Sequence, residues 1–299
     1  MNIRVSAGTA MYMGLKKGNA IEEPTTAYLM IPGETACRGG CTYCPQAKGE
    51  SEWLSRVSWP TYELDEVIER IKRSDLKRIC LQSPDIPGYE DKILNFINEL
   101  KNADKPISLS SPPISDEVLK QIKGSVDRIG IGIDAVTNDI REEIKPNYNP
   151  MIFWDYMGRA LNIFGEEKVT AHIIVGIGED LERLALAMNK VVNAGAKVSL
   201  FSYQSKEQSP PALDYYRKAQ LLSYLIEEGS GVDESLNIVE KRLEELVDVI
   251  EEGDVFLTKG CPDCNRPYYT TRPGKQHRNF PRTPSTEEIM KIKSDLKLI

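Results

Sequence analysis

Four things are scarce in this chain, and each scarcity excludes something. No apolar run approaches the roughly 20 residues a helix needs to cross a bilayer. The opening Met1-Asn-Ile-Arg-Val lacks the apolar segment of a secretory leader. Basic charge is not in excess: with a net charge of -7 and a pI near 5.2, the chain offers no general surface for nucleic acid or anionic membrane. There is no low-complexity tract, and no repeat beyond an alternation of strands and helices. A cytoplasmic protein is therefore expected, one whose six cysteines stay reduced. Clustered thiols in that compartment serve metals or catalysis rather than disulfides.

What is present begins with length: 299 residues, 40% apolar, can bury a sizeable core. Residues 1–22 read as an N-terminal extension packed on the outside. From Thr26 apolar strand-like runs alternate with amphipathic helices: Thr26 to Ile31, Arg78 to Gln82, Pro106 to Ser110, Val126 to Asp134, Lys168 to Gly176 and Lys197 to Tyr203. Strands each followed by a helix imply a parallel sheet with right-handed crossovers. Such a sheet closes in part as an incomplete (β/α)6-type barrel or lies open and doubly wound. Both place chemistry at the carboxyl ends of the strands. Two charged amphipathic segments, Leu213 to Glu228 and Ser235 to Glu252, precede a strand-like run at Val255 to Thr258. The expected division is 1–22 extension, 23–210 partial barrel, and 211–299 helical extension with a cysteine-bearing lid.

The chemistry starts with Cys37-Arg-Gly-Gly-Cys41-Thr-Tyr-Cys44, directly after the first strand. Three thiolates in one tight loop can hold three corners of a [4Fe–4S] cluster and leave the fourth iron open. The spacing, with Tyr43 before the last cysteine, resembles the radical S-adenosylmethionine superfamily. That resemblance implies that S-adenosylmethionine chelates the open iron and that its reduction releases a 5′-deoxyadenosyl radical. A four-thiolate zinc site from Cys41, Cys44, Cys261 and Cys264 is the competing reading. It leaves Cys37 unexplained and separates the two Cys-x2-Cys pairs far beyond the usual spacing of about 15–20 residues.

Further candidates follow by position. The run His172-Ile-Ile-Val-Gly-Ile-Gly-Glu179 resembles the superfamily's fifth-strand motif against adenine and implicates Gly176, Gly178 and Glu179; an ordinary strand-to-helix turn is the plainer account. His172 itself reads as a strand residue with a local hydrogen bond. Asp134 ends the fourth strand where biotin synthase has a carboxylate for the ribose, or else it caps a helix. Arg141 is a candidate for the S-adenosylmethionine carboxylate, or a solvated helix residue. Gln82 and Ser83 fall where the superfamily binds the amino group.

Cys80, Cys261 and Cys264 bear on the reaction. Biotin synthase also has a second-strand cysteine at this distance, ligating an auxiliary cluster that supplies sulfur. Buried apolar packing is the alternative for Cys80, and half a zinc site or a redox pair for the other two. Over the whole chain the pattern resembles the two-protein (archaeal-type) lipoyl synthases, related to biotin synthase. It rests on Arg4-Val-Ser-Ala-Gly-Thr-Ala, the six cysteines and the tail Gly260-Cys-Pro-Asp-Cys-Asn-Arg-Pro. The extra N-terminal cysteines of single-protein lipoyl synthases are missing, as are biotin synthase's cysteines on the fourth and fifth strands.

The resemblance implies two [4Fe–4S] clusters and S-adenosylmethionine. The second cluster, on Cys80, Cys261 and Cys264, would supply sulfur to an octanoyl group on a carrier-protein lysine. Its fourth ligand is left open among Arg266, Ser285 and a non-protein sulfur. A homologous second radical enzyme would complete the other C–S bond, and an electron donor such as ferredoxin would supply reductant. The run Asn265 to Arg282, basic and free of acid, suits an acidic carrier domain, or is a solvated tail. Rival readings are a radical enzyme with an electron-transfer cluster and a non-enzymatic zinc or cluster-binding protein.

Overall fold

A computed structural model describes residues 1–204, 209–272 and 274–299. It begins β1 (Asn2–Val5), α1 (Ala7–Tyr12) and β2 (Thr26–Met30), followed by the two-residue strands β3 (Trp53–Leu54) and β4 (Val57–Ser58), then β5 (Thr61–Glu63). A regular alternation follows: α2 (Leu64–Lys72), β6 (Arg78–Gln82), α3 (Tyr89–Leu100), β7 (Ile107–Ser110), α4 (Asp116–Ile122) and β8 (Arg128–Asp134). After α5 (Asn138–Ile144) and α6 (Ile152–Phe164) come β9 (Val169–Val175), α7 (Leu181–Asn193) and β10 (Lys197–Ser202). The tail holds α8 (Leu213–Glu227), α9 (Val232–Lys241), α10 (Val247–Glu252) and α11 (Thr286–Asp295).

One sheet runs in the order β10-β9-β8-β7-β6-β2-β1-β5, in which β2, β6, β7, β8, β9 and β10 are parallel to one another. These are the six expected strands, in the architecture of an unclosed (β/α) barrel. Their period of two sets the two faces. On β6, Ile79 and Leu81 are fully buried against the helices, while Cys80 and Gln82 face the interior. The helices present matching stripes: Leu64, Val67, Ile68 and Ile71 make the buried face of α2.

Three expectations change. Residues 1–22 do not lie outside the sheet, because β1 pairs antiparallel with both β2 and β5 and buries Ile3 and Val5 completely. The segment Ser235 to Glu252 is two helices rather than one: Arg242 leaves helical geometry at φ -134°, and a short 3-10 turn joins α9 to α10. Val255 to Thr258 is not a strand but a 3-10 turn followed by a single parallel bridge, Leu257 to Phe280.

The tail also closes the barrel differently from the expected lid over its mouth. The loop from Lys259 to Asn265 sits under the amino ends of the strands. Thr26, the first residue of β2, donates its hydroxyl to the Asp263 carbonyl at 2.9 Å. Arg78, the first residue of β6, donates Nε to the Pro262 carbonyl at 3.0 Å, and Ser199 of β10 donates to the Lys259 carbonyl at 2.7 Å. Gly260 is in the left-handed region at φ +129°, packed against Thr170 and Ser199. The loop is a plug, opposite the mouth. At the open side Arg56, in the β3–β4 turn, bridges to Gln204 Oε1, the Ser202 carbonyl and the Tyr269 carbonyl.

Candidate active site

The cysteine loop leaves β2 at its carboxyl end and is pinned by two neighbouring loops. The Asp85 amide donates to Cys37 Sγ at 3.2 Å, and the Arg38 amide donates to the Asp85 carbonyl at 2.7 Å. Asp85 in turn accepts from Arg38 Nε at 2.9 Å and from the Tyr148 hydroxyl at 2.7 Å. Asn147 Nδ2 donates to the Arg38 carbonyl at 2.7 Å, and the Thr42 amide to the Ile144 carbonyl at 3.0 Å. Gly39 and Gly40 pass directly beneath Tyr148 and Asn147, where a side chain has no room. Gly40 is also left-handed at φ +65°, which glycine adopts without cost.

Tyr43 and Asp134 join this loop to β8. The Tyr43 hydroxyl donates to Asp134 Oδ2 at 2.6 Å, and Lys145 Nζ pairs with the same oxygen at 2.7 Å. A register shift between Gly132 and Asp134 turns Asp134 to φ +58° and aims its carboxylate into the interior. Burial opposes its ionisation, but Lys145 and Tyr43 together hold its pKa below the ordinary value. Lys145 also donates to the Gly132 carbonyl at 2.8 Å and lies 3.8 Å over the Phe153 ring. Nothing in the sequence singled it out; a lysine at a helix end carries no signal of a buried pair.

Inside the barrel is a cavity of about 270 Å³. Tyr43, Cys44 and Asp134 line its carboxyl end, and Cys80, Cys261 and Cys264 its amino end. The second trio is tied into its surroundings: Ser108 donates to Cys261 Sγ at 3.2 Å, and the Tyr28 hydroxyl lies 3.6 Å from Cys264 Sγ. Burial pushes the Cys41 thiol up to about 12 and raises Cys44 as well. Cys80 and Cys264 are likewise raised by burial; Cys264 and Cys261 raise Cys80 further, while Arg266 opposes the rise at Cys264 and Cys261 adds to it. Thiols reached from a cavity, shielded from bulk water and clustered so that their negative charges repel are donors that a soft cation converts to thiolates. Among the described residues, no three His, Cys, Asp or Glu side chains meet at the spacing of a single metal ion. A cluster takes one thiolate per iron and spreads its ligands more widely, so Cys37, Cys41 and Cys44 fit a cluster as its donor set, and Cys80, Cys261 and Cys264 offer the same type of donor.

A profile of the radical SAM superfamily matches residues 31–191, more than half of the chain. The chain belongs to the radical SAM superfamily. A [4Fe–4S] cluster and S-adenosylmethionine come with that membership. Among solved structures, methylornithine synthase is similar at 12% identity and a TM-score of 0.52, over 74% of this chain and 65% of its own. A radical SAM methyltransferase from Sphaerobacter thermophilus is similar at 13% identity and a TM-score of 0.48, over 71% of this chain and 69% of its own. Coproporphyrinogen III oxidase from Escherichia coli is similar at 16% identity and a TM-score of 0.44, over 86% of this chain and 64% of its own. No curated protein matches. The likeness to methylornithine synthase shows the shared fold.

Not every residue singled out from the sequence of this radical SAM chain reaches the cavity. Gln82 does, with Nε2 donating to the Tyr269 hydroxyl at 3.1 Å. Ser83 is buried beside it and donates to the Pro84 carbonyl. Arg141 is fully buried, its guanidinium donating to the carbonyls of Ala135 and Pro150 and stacked 5.9 Å from Trp154. It binds its own fold instead of lining the cavity. Glu179 folds back onto the Gly176–Gly178 turn, accepting from the amides of Gly176 at 2.6 Å and Ile177 at 2.8 Å. Gly176 packs against Pro211 with no room for a Cβ. Ser285 caps α11, accepting from the Glu288 amide, whereas Arg266 lines the cavity beside Cys264. The basic run is solvated only in part: Arg272 and Lys275 are exposed, whereas three others are engaged. Arg266 donates to Ser199 Oγ at 2.6 Å, Arg278 to the Pro211 carbonyl at 2.7 Å, and Arg282 pairs with Glu288 at 2.8 Å.

His172 lines the cavity between the two trios, edge-on to Phe201 at 5.1 Å. No hydrogen bond among the described residues reaches its imidazole, contrary to the local bond expected from the sequence. Burial, with the Arg266 charge nearby, lowers its pKa to about 3. Below about pH 6.5 the unfolded chain therefore takes up a proton that the folded chain refuses. Stability present above that pH should fall by up to about 1.4 kcal/mol per unit as the solution is acidified toward pH 3. Urea unfolding of the metal-free chain between pH 7.5 and 5 should show this slope, and His172→Gln should flatten it. Equal slopes in the two proteins would place the proton elsewhere. His277, also lowered by burial, contributes alike to both and cancels in the comparison.

Proposed function

We infer that this chain is a radical SAM sulfur-inserting enzyme, one component of a two-protein lipoyl synthase. Its substrate would be an octanoyl group on a lysine of a carrier protein or peptide. A homologous second radical SAM protein would make the other C–S bond, with a ferredoxin-like protein as electron donor. One observation supports this reading most: Cys80, Cys261 and Cys264 line the same cavity as Cys44, at its opposite end. Two cluster sites facing one apolar space suit a reaction that opens a C–H bond at one end and brings sulfur from the other. When bound, one cluster with S-adenosylmethionine supplies a 5′-deoxyadenosyl radical, and the other supplies sulfide.

The chain's own groups have defined tasks in this reading. Cys37, Cys41 and Cys44 hold the first cluster. Asp134, fixed by Tyr43 and Lys145, presents a buried carboxylate to ribose hydroxyls. Ile174 and Phe201 line a passage suited to an acyl chain and exclude water from it. Arg266, 4.2 Å over the Phe201 ring, stands beside Cys264 as the candidate fourth ligand of the second cluster. Ser285, spent on its helix cap, is set aside.

Anaerobic reconstitution tests the reading. The protein should bind about eight irons per chain, roughly four in each cluster, and release 5′-deoxyadenosine on reduction with S-adenosylmethionine. Stoichiometric zinc without iron contradicts it. Four irons in a protein that still cleaves S-adenosylmethionine would leave a radical SAM enzyme without the sulfur source.

A further inference from the structure

A polar chain, buried at Arg78 and Ser108, crosses the amino ends of four barrel strands. Arg78, 4% exposed, donates Nη1 to Ser108 Oγ at 3.1 Å and to Asp127 Oδ2 at 2.8 Å. Asp127 also accepts from Lys168 Nζ at 2.6 Å. Ser108, 3% exposed, lies 3.2 Å from Cys261 Sγ. The direction of this chain is fixed by chemistry. A guanidinium only donates, so Ser108 Oγ is the acceptor in its bond with Arg78. The serine hydrogen is then free to point at Cys261, and the sulfur is the acceptor. Charge on the arginine polarises the hydroxyl toward the sulfur, as linked hydrogen bonds do in a low-dielectric interior. Asp127 balances the buried cation without reaching the thiol.

A simple clamp for the plug needs only the bond from Arg78 Nε to the Pro262 carbonyl, one residue beyond Cys261. The second arm of the same guanidinium, Nη1, ends on Ser108, whose hydroxyl reaches the sulfur. We propose that Arg78 and Ser108 are positioning residues for the second thiol site, orienting Cys261 and delivering one directed hydrogen bond to its sulfur. The proposal rests on reading Cys80, Cys261 and Cys264 as a cluster site. Hydrogen bonds to ligand sulfurs stabilise the more negative, reduced cluster and so raise its potential.

The test uses the full chain with Cys37, Cys41 and Cys44 all changed to Ala, so that only the second site takes iron. Iron content and midpoint potential are measured after anaerobic reconstitution, with and without Ser108→Ala. The expected result is unchanged iron and a potential shifted negative. Ser108→Thr, which keeps the hydroxyl, should restore the parent potential. Arg78→Met should shift the potential in the same direction and lower the iron content as well, because the plug loses its anchor. Adding Ser108→Ala to Arg78→Met should then shift the potential little further, since the two act in series. Full iron with an unchanged potential in Ser108→Ala overturns the proposal while the cluster reading stands. A parent that binds no iron overturns both.

Discussion

Changing Cys261 to Ala should remove about half the iron, leaving roughly four of eight atoms per chain, without stopping S-adenosylmethionine cleavage. The expectation follows from where the two trios lie. Cys261 belongs to the plug under the amino ends of the strands, whereas Cys37, Cys41 and Cys44 sit on the loop beyond the carboxyl end of β2. The plug does not need its thiol to stay in place. Thr25, Thr26, Arg78 and Ser199 grip its backbone or Asn265, and each of those bonds survives the substitution. Cys264→Ala and Cys80→Ala should behave alike. Product from an octanoyl substrate should fall to background in all three while 5′-deoxyadenosine continues to form, so radical generation becomes uncoupled from sulfur transfer. Loss of both activities together would mean that the second trio serves the first site, as an electron relay would.

The reciprocal substitution has an equally large effect. With Cys37, Cys41 and Cys44 all changed to Ala, about four irons should remain per chain and 5′-deoxyadenosine should drop to the level of a blank. Among the described residues, the two carboxylates beside these thiols are already engaged, Asp85 by Arg38 and Tyr148, and Asp134 by Tyr43 and Lys145. The fold should persist, because the loop is anchored through backbone amides and carbonyls that alanine retains. Iron quantitation and chromatography of the reduced mixture check both halves. Complete loss of iron would overturn the reading of Cys80, Cys261 and Cys264 as a cluster site.

Much of the fold was legible because the six parallel strands are apolar runs flanked by amphipathic helices, a pattern with few alternatives. The first strand was not. Asn2 to Val5 is too short to display a period, and its burial depends on partners far along the chain, Met30 and Tyr62 among them. The break at Arg242 is equally silent, since the charged pattern of Ser235 to Glu252 continues across it. For the site, cysteine spacing grouped Cys37, Cys41 and Cys44 on one loop, but it did not place Cys80 in the middle of β6 facing the interior. It carried no information on which end of the barrel the tail would close. That is decided by contacts between Thr25 or Thr26 and Asp263 or Asn265, nearly the whole chain apart in sequence. Arg141 shows the opposite failure. Its place shortly after Asp134 made it a candidate for a ligand carboxylate, but the carbonyls of Ala135 and Pro150 claim its guanidinium first. The partner that Asp134 does have, Lys145, has no sequence signature.

The most direct test of the account is the mass of an octanoyl-lysyl peptide after incubation with reconstituted protein, S-adenosylmethionine and reductant, with and without the homologous second protein. The account predicts a gain of one sulfur atom for each C–H bond opened by this chain, and no gain with Cys261→Ala. 5′-Deoxyadenosine formed from the intact protein with no sulfur in the peptide, or the same sulfur gain in Cys261→Ala, would contradict it.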